Sequence, residues 1–307
     1  MTRRAALFVL ALIVFAVSSP LLAPYEPGRA FRDYLHAPPM RPQLSGVVYP
    51  LVLADRLEQR YEADTTRTVP LPWFGGSSDA PVFLLGSDSF GRDVLSRLLY
   101  GARTSIGLAL MATLGAVTIG ALAGAWAGYR GGWIDESVMR VADFVLVLPV
   151  IYVVLVLRAV LPLVLPASTV FLLVSWIFVA VGWPFVAKGV RAIVAAERDR
   201  EYVQAAQSLG AGPGRILVRH LIPACAGYLI VQATLLLPAF IIAEATLSFV
   251  GLGFPDPVSS WGTMLAETAN IGSVARFPWT LAPAAAIFAV VLGTNLLTAG
   301  DHTTGGY

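Results

Sequence analysis

Asp88, Arg92, Asp93 and Arg97 crowd two carboxylates and two guanidinium groups into one short run, Leu85-Gly86-Ser87-Asp88-Ser89-Phe90-Gly91-Arg92-Asp93-Val94-Leu95-Ser96-Arg97. Paired carboxylates do general acid–base work when their environments hold one protonated and the other ionised. Here an arginine stands beside each acid and no nucleophile or free base accompanies them, so the pattern reads as structural ion pairing. Asp93 and Arg97 are spaced i,i+4, the separation of a helical salt bridge. Val94, Leu95, Leu98 and Leu99 form the other face of a predicted interfacial helix. Two more ionisable groups, Arg158 and Glu244, lie inside apolar stretches, where a charge costs a few kcal/mol and calls for a partner or a wet cavity. They are expected in the outer halves of their spans, paired or both facing an aqueous pathway. Arg158 snorkelling to the headgroups is the open alternative.

Other chemistries find no residues. Cys225 is the one cysteine, so neither an internal disulfide nor a cysteine-clustered metal site is expected. His36, His220 and His302 lie far apart with no ligand spacing. The one lysine, Lys188, sits in Val186-Ala187-Lys188-Gly189, and no G-x-x-x-x-G-K-[ST] cradle for phosphates exists. Any ATP-driven work would belong to a partner. A net charge of +2 gives no ground for nucleic-acid binding.

The elements that must carry these residues are membrane spans. The chain has 307 residues, of which 57% are hydrophobic and 13% charged, against about 25% charged in a soluble domain. Mean hydropathy is +0.72. Six apolar runs are long enough for about 30 Å of hydrocarbon: Ala5–Leu22, Ser105–Ala127, Phe144–Leu165, Thr169–Val186, Gly227–Phe249 and Leu281–Leu297. Trp183-Pro184 interrupts the end of the fourth. Orientation follows from basic residues in short loops. Arg3, Arg4, Arg130, Arg140, Lys188, Arg191, Arg198, Arg200, Arg215 and Arg219 fall on one side, and Arg276 alone in the short loops of the other, the long segment Ala23 to Thr104 being left out because long translocated stretches escape the rule. That predicts an all-α polytopic protein with six transmembrane helices, N-in and C-in. Arg3-Arg4, an apolar core and Ser18-Ser19-Pro20 also fit a signal peptide. The predicted parts are a first transmembrane helix (1–23), an extracytoplasmic cap or linker (24–100) and a five-helix core (101–300).

The loop at 187–224 is the most informative part. In Glu201 to Pro223, EYVQAAQSLGAGPGRILVRHLIP, residues Tyr202 to Leu209 form helix readily, and Gly210 can take the left-handed conformation that ends one. Ala211-Gly212-Pro213-Gly214 makes a turn. Arg215 to Leu221 forms a second short helix that Pro223 is expected to break. Ala205 and Ala206 present almost no side chain, so another protein's surface can come close. A merely solvated helical hairpin is the bland alternative. Gly120, Gly124 and Gly128 repeat every four residues, a face for close helix packing, expected within the chain. Tyr129-Arg130-Gly131-Gly132-Trp133 then makes a tight turn.

Three segments carry a family resemblance. The loop residues Ala205, Ala206, Gly210 and Pro223 resemble the coupling-loop signature of ABC importer permeases, E-A-A-x-x-x-G followed about a dozen residues later by an apolar residue and proline. Gln204 stands where the family has Glu, and His220 and Ile222 occupy apolar positions. The Asp88–Ser105 stretch, with Gly91, Arg92, Asp93 and Arg97, is similar to the G-T-D-x-x-G-R-D-V-x-S-R stretch of the peptide and nickel importers. Ala243-Glu244-Ala245-Thr246-Leu247-Ser248-Phe249-Val250-Gly251-Leu252-Gly253, with Ser260-Trp261-Gly262-Thr263-Met264-Leu265, resembles that subfamily's L-S-F-L-G-L-G…P-S-W-G-x-M-L run.

The resemblance implies the second permease of a binding-protein-dependent dipeptide, oligopeptide or nickel importer, with the transmembrane fold of an ABC type I importer in a bacterial inner membrane and the first helix retained. It implies a second, related permease chain, two ABC ATPase subunits and an extracytoplasmic solute-binding protein. ATP and Mg would be held by the ATPases, with no cofactor in this chain. Glu201, Tyr202, Gln204, Ala205, Ala206, Gly210 and Pro223 would form the ATPase-coupling loop. Asp88, Gly91, Arg92, Asp93, Arg97, Trp261 and Gly262 would form an outer motif. A secondary transporter or channel acting without an ATPase is the alternative. It would carry broken spans and internal repeats, and no clear repeat is found. An intramembrane enzyme would need nucleophile and base, or metal ligands, within the spans.

Overall fold

The computed structural model describes residues 2–55, 59–71, 73, 80–149, 152–153, 156, 165–269 and 271–299. Its long helices follow the apolar runs. They are α1 (Thr2–Leu22), α2 (Val94–Arg130), α3 (Gly132–Val147), α4 (Ala167–Glu197), the short α5 (Glu201–Ser208), α6 (Pro213–Ile216), α7 (Ile222–Ala224), α8 (Ala226–Phe249), α9 (Trp261–Ala266), α10 (Ile271–Arg276) and α11 (Ala282–Ala299). A π-helical turn, Leu217–Leu221, joins α6 to α7, and a 3-10 turn, Pro278–Leu281, precedes α11. Val94–Arg130, Ala167–Glu197, Ala226–Phe249 and Pro278–Leu296 are long and apolar enough to cross a membrane, and Leu7–Leu22 is a shorter apolar helix. Residues 150–151, 154–155 and 157–164, most of the expected third span and Arg158 with it, lie outside the described residues.

Three expectations are corrected. Val94 does not open a separate interfacial helix. It begins a continuous helix of 37 residues, because nothing between Leu98 and Ser105 breaks helical hydrogen bonding. Pro184 does not interrupt the fourth span: it is buried inside α4, which continues to Glu197. Pro223 does not break the second short helix either. It lies in the first turn of α7, directly after the π turn. A proline cannot donate its N–H and collides with the carbonyl four residues back, and a wider turn just before it relieves both.

The chain divides into two compact units, residues 1–8, 108–243 and 292–307, and residues 9–107 and 244–291. In the first, α2 lies against α4 along glycines. A Cβ on Gly120 would stand 2.6 Å from Val186 Cβ, on Gly124 2.3 Å from the Ala187 carbonyl oxygen, and on Gly128 2.6 Å from that of Arg191. The predicted small-residue face is thus an intramolecular contact. Gly131 and Gly132, with φ of 64° and 57°, make the turn into α3. There Arg191 Nε donates to Asp135 Oδ1 at 2.8 Å, and Lys188 pairs with Asp143. Beneath the 201–224 loop, Val186, Val190, Val194, Val203, Ile216, Leu217, Leu221 and Cys225 form a buried cluster.

Among its described residues the second unit holds four short strands, paired as two antiparallel ribbons, Val47–Val48 with Val69–Pro70 and Leu51–Asp55 with Arg60–Ala63. Ala37, Met40, Val48, Leu51, Val69, Val82 and Phe83 give this part its own apolar cluster. The described residues of this region are thus more regularly paired than its weak alternation predicts, because aromatic side chains (Phe31 and Tyr34 against Phe83, and Tyr61 stacked on Tyr34) supply the burial.

Candidate functional site

The 201–224 loop stands on one anchor. Val203 is fully buried among the valines of α4, and every other side chain of α5 is exposed except those of Ala206 and Val203. Glu201 opens the helix and is exposed. Tyr202 is exposed too; its hydroxyl donates to Glu197 Oε2 at 2.9 Å and its ring lies 6.2 Å from that of His220. Gln204 Nε2 donates to the Asp199 carbonyl at 3.1 Å. The two alanines differ: Ala205 is exposed, whereas Ala206 is half-buried against the cluster. Gly210 ends the helix at φ 81° with open space around it. Leu209 (88% exposed) and Val218 (67%) leave two apolar side chains uncovered on this polar loop. Leu209, a lone apolar residue before a glycine-rich turn, could have been picked out from the sequence, whereas Val218 sits in the apolar run Ile216-Leu217-Val218 and carries no such signal.

The second cluster joins the 88–105 and 244–267 segments. Asp88 Oδ1 accepts from the backbone N–H groups of Phe90 (2.8 Å) and Arg92 (2.9 Å). Its Oδ2 accepts from Arg92 Nε (2.7 Å) and Arg97 Nη1 (2.5 Å). Glu267 closes the network, taking Arg92 Nη2 on Oε1 and Arg97 Nη1 on Oε2, each at 2.7 Å. Arg97 is 1% exposed and Asp88 4%. Gly91 turns this segment at φ 75°, with a Cβ position only 2.1 Å from the Phe31 carbonyl oxygen, so no larger residue fits. Structural ion pairing is what the geometry delivers, with different partners from those expected. Asp93 does not pair with Arg97. It caps α2, its Oδ2 accepting from Ser96 N (2.8 Å) and Ser96 Oγ (2.6 Å). Burial pushes the Asp93 carboxyl up to about 6, against the lowering pull of the Ser96 bonds. Glu267 carries no local signal in the sequence.

Glu244 is 1% exposed. It accepts from Ser105 Oγ and Ser248 Oγ, both at 2.7 Å. Ser105 Oγ in turn accepts from Trp261 N at 3.1 Å. Trp261 is buried, its Nε1 donating to the Leu98 carbonyl at 3.0 Å. A Cβ on Gly262 would stand 2.6 Å from Ala245 Cα, and one on Gly101 3.1 Å from Trp261 Cδ1. Ser260 and Thr263 reciprocally cap α9. The segments quoted as two motifs therefore form one interlocked body, in which Asp88, Arg92, Arg97 and Glu267 pair with one another and Glu244 with serines. Among the described residues no group of three His, Cys, Asp or Glu side chains could hold a metal ion.

Residues 116–300 match the family described as the binding-protein-dependent transport system inner membrane component. The chain is 37% identical over 216 residues to the oligopeptide transport system permease protein OppC of Bacillus subtilis, covering 70% of this chain and 68% of that one. It is 32% identical over 296 residues to the di/tripeptide transport system permease protein DppC of Pseudomonas aeruginosa, covering 96% and 84%. The family match over residues 116–300 and the identity to these two permeases make this chain a member of the binding-protein-dependent inner membrane permease family.

Proposed function

We propose that this chain is the permease subunit of an ATP-driven, binding-protein-dependent importer, forming one half of the translocation pathway for peptides or similar small solutes. The peptide class rests on the names of its relatives. In this reading the protein sits in a bacterial inner membrane, N-in and C-in with six spans, the third near 144–165. A second permease completes the pathway, two ATPases carry ATP and Mg, and a solute-binding protein delivers cargo from outside. The chain itself performs no catalysis.

One observation carries the mechanism. Helix α5 is exposed on one face and rooted by Val203 in the valine cluster on α4 on the other. A push on such a helix cannot be absorbed locally, because a close-packed cluster transmits displacement. Ala205 at the surface lets an ATPase approach the α5 backbone, and Leu209 and Val218 offer apolar anchors beside it. ATP-driven closure of the ATPases would then tilt α4 and its neighbours between inward-open and outward-open arrangements. Gln204 in place of an acid removes one charge from that surface. Arg158 and Glu244 as an intramembrane pair or pathway element is part of the same proposal. Glu244 would enter such a pair with its two carboxylate oxygens already accepting from Ser105 and Ser248.

The test is a mild-detergent purification from native membranes with mass spectrometry of the bound proteins, for the wild type and Ala205→Glu. Ala205 is the correct probe because a charge at half-buried Ala206 would also disturb the cluster. A second permease and P-loop ATPases should accompany the wild type, and the variant should lose only the ATPases. A chain that emerges alone from both preparations refutes the importer reading and favours a transporter or channel without an ATPase.

A further inference from the structure

Arg97 Nη2 and His36 Nδ1 are both buried without a hydrogen-bond partner among the described residues. Both side chains line the same small crevice, whose walls also include Asp88, Met264, Glu267 and Thr280. Arg97 spends Nη1 on Asp88 and Glu267, and Nε on Ser259 Oγ at 3.3 Å. That leaves both N–H groups of Nη2 on a fully buried guanidinium unmet, a cost larger for a charged group than for a neutral one.

His36 is held deliberately. Its ring lies flat on Phe277, with centroids 4.0 Å apart and planes 3° from parallel. Its backbone has φ 52°, in the left-handed region that disfavours a residue with a side chain. Hydrogen bonds on both sides fix it there: His36 N donates to the Asp88 carbonyl at 3.0 Å, and Ala37 N to Ser87 Oγ at 2.7 Å. Burial lowers the pKa of the imidazole against the raising influence of Asp88 and Glu267. The ring is therefore neutral near pH 7, and with its proton on Nε2 it offers a lone pair at Nδ1.

Size and charge select the occupant. The crevice has a volume of about 20 Å³. A water needs about 10–15 Å³ on that measure, so one fits and a polyatomic ion does not. A halide would sit beside the two carboxylates of Asp88 and Glu267, and a metal cation would face the free N–H groups of Arg97. A neutral molecule that both accepts and donates suits both orphaned atoms. We propose that this crevice is a binding site for one ordered water, which accepts from Arg97 Nη2 and donates to His36 Nδ1. The water ties the N-terminal segment at residue 36 to the Asp88–Arg97–Glu267 network, and it does so whatever cargo the protein carries.

A single-particle map of the complete importer, at a resolution that shows ordered water, tests the site directly. A peak within about 2.7–3.2 Å of both nitrogens is expected. A map with waters on neighbouring polar groups and none between these two overturns the proposal. Hydroxyl-radical footprinting gives a second reading, because Met264 is 5% exposed and lines the crevice, so a held water beside it should mark it under irradiation. His36→Phe keeps a ring over Phe277 and removes the acceptor. Met264 labelling should fall several-fold in that variant, and unchanged labelling counts against the water.

Discussion

Gly124→Ala asks whether the α2–α4 crossing is set by glycine. The added Cβ would stand 2.3 Å from the Ala187 carbonyl oxygen and 2.9 Å from its Cα, where ordinary contact begins near 3.4 Å. The obstacle is the backbone of a continuous helix, so no side chain can rotate away. α4 must move by about 1 Å, and it cannot do so at one point only, because Gly120 and Gly128 hold it through Val186 and Arg191 on either side. Overpacking of this kind costs about 1–3 kcal/mol. At about 2–4 °C per kcal/mol, the thermal midpoint of the purified importer should fall by several degrees, read by the fraction surviving size-exclusion chromatography after heating. Gly212→Ala is the control. A Cβ there meets nothing within 4 Å, and its φ of −69° suits any residue, so the midpoint should stay near wild type. If the two variants melt together, the glycine face does not position α4, and the route from α5 through α4 loses its rigid support.

Asp88→Ala should be among the most damaging single changes, since it leaves the buried Arg92 and Arg97 sharing Glu267, with only the exposed, 3.4 Å contact of Arg92 to Asp256 besides; removing one partner of such a network costs about 3–5 kcal/mol, and the yield of folded protein in membranes would show it. Glu267→Gln should cost less by the same assay, because Glu267 is 20% exposed. Asp93 predicts a pH dependence. Its folded pKa of about 6 lies above the ordinary 3.8, so its contribution to stability is fully present below about pH 3.8 and is lost as pH rises through 6. Asp93→Asn should therefore melt higher than wild type at pH 7.5, with the difference narrowing towards pH 5; a pH-independent difference would contradict the buried-carboxyl account. Glu244→Leu should destabilise by stranding Ser105 and Ser248 in an apolar span, whereas Glu244→Gln, which keeps one carbonyl acceptor, should lose much less in the same melting assay.

What the sequence made legible was what local chemistry decides. Apolar runs placed α1, α2, α4, α8 and α11, and a single glycine placed the end of α5, because Gly210 alone among its neighbours reaches φ 81° at no cost. That Gly120, Gly124 and Gly128 pack within the chain followed from their shared face, whereas α4 as their partner is known only from the structure. Illegible were the consequences of distant partners. The i,i+4 spacing of Asp93 and Arg97 predicts a salt bridge only if both residues are helical. Asp93 is the cap, outside the helix, and its carboxylate turns to Ser96. Arg97 is left to reach Asp88 across the Gly91 turn and Glu267 far along the chain. Proline misled for a related reason: at positions 184 and 223 the surrounding helix is held by burial and by a π turn, and both override the local preference to break.

The same contrast explains why the two outer motifs look like separate signatures in sequence yet are one body in space. Arg92 and Arg97 bring two positive charges to Asp88, and a buried network left at net positive charge would not be tolerated. The balancing acid need not be nearby in sequence, and here it is Glu267, just after α9. For that acid to arrive, Trp261 must enter between Leu98 and Ser105, and Gly101 and Gly262 must be bare so that the backbones can close. The glycines, the tryptophan and the charges are thus consequences of a single packing problem. A substitution at Gly101 should accordingly weaken the Arg97–Glu267 pair without touching either residue.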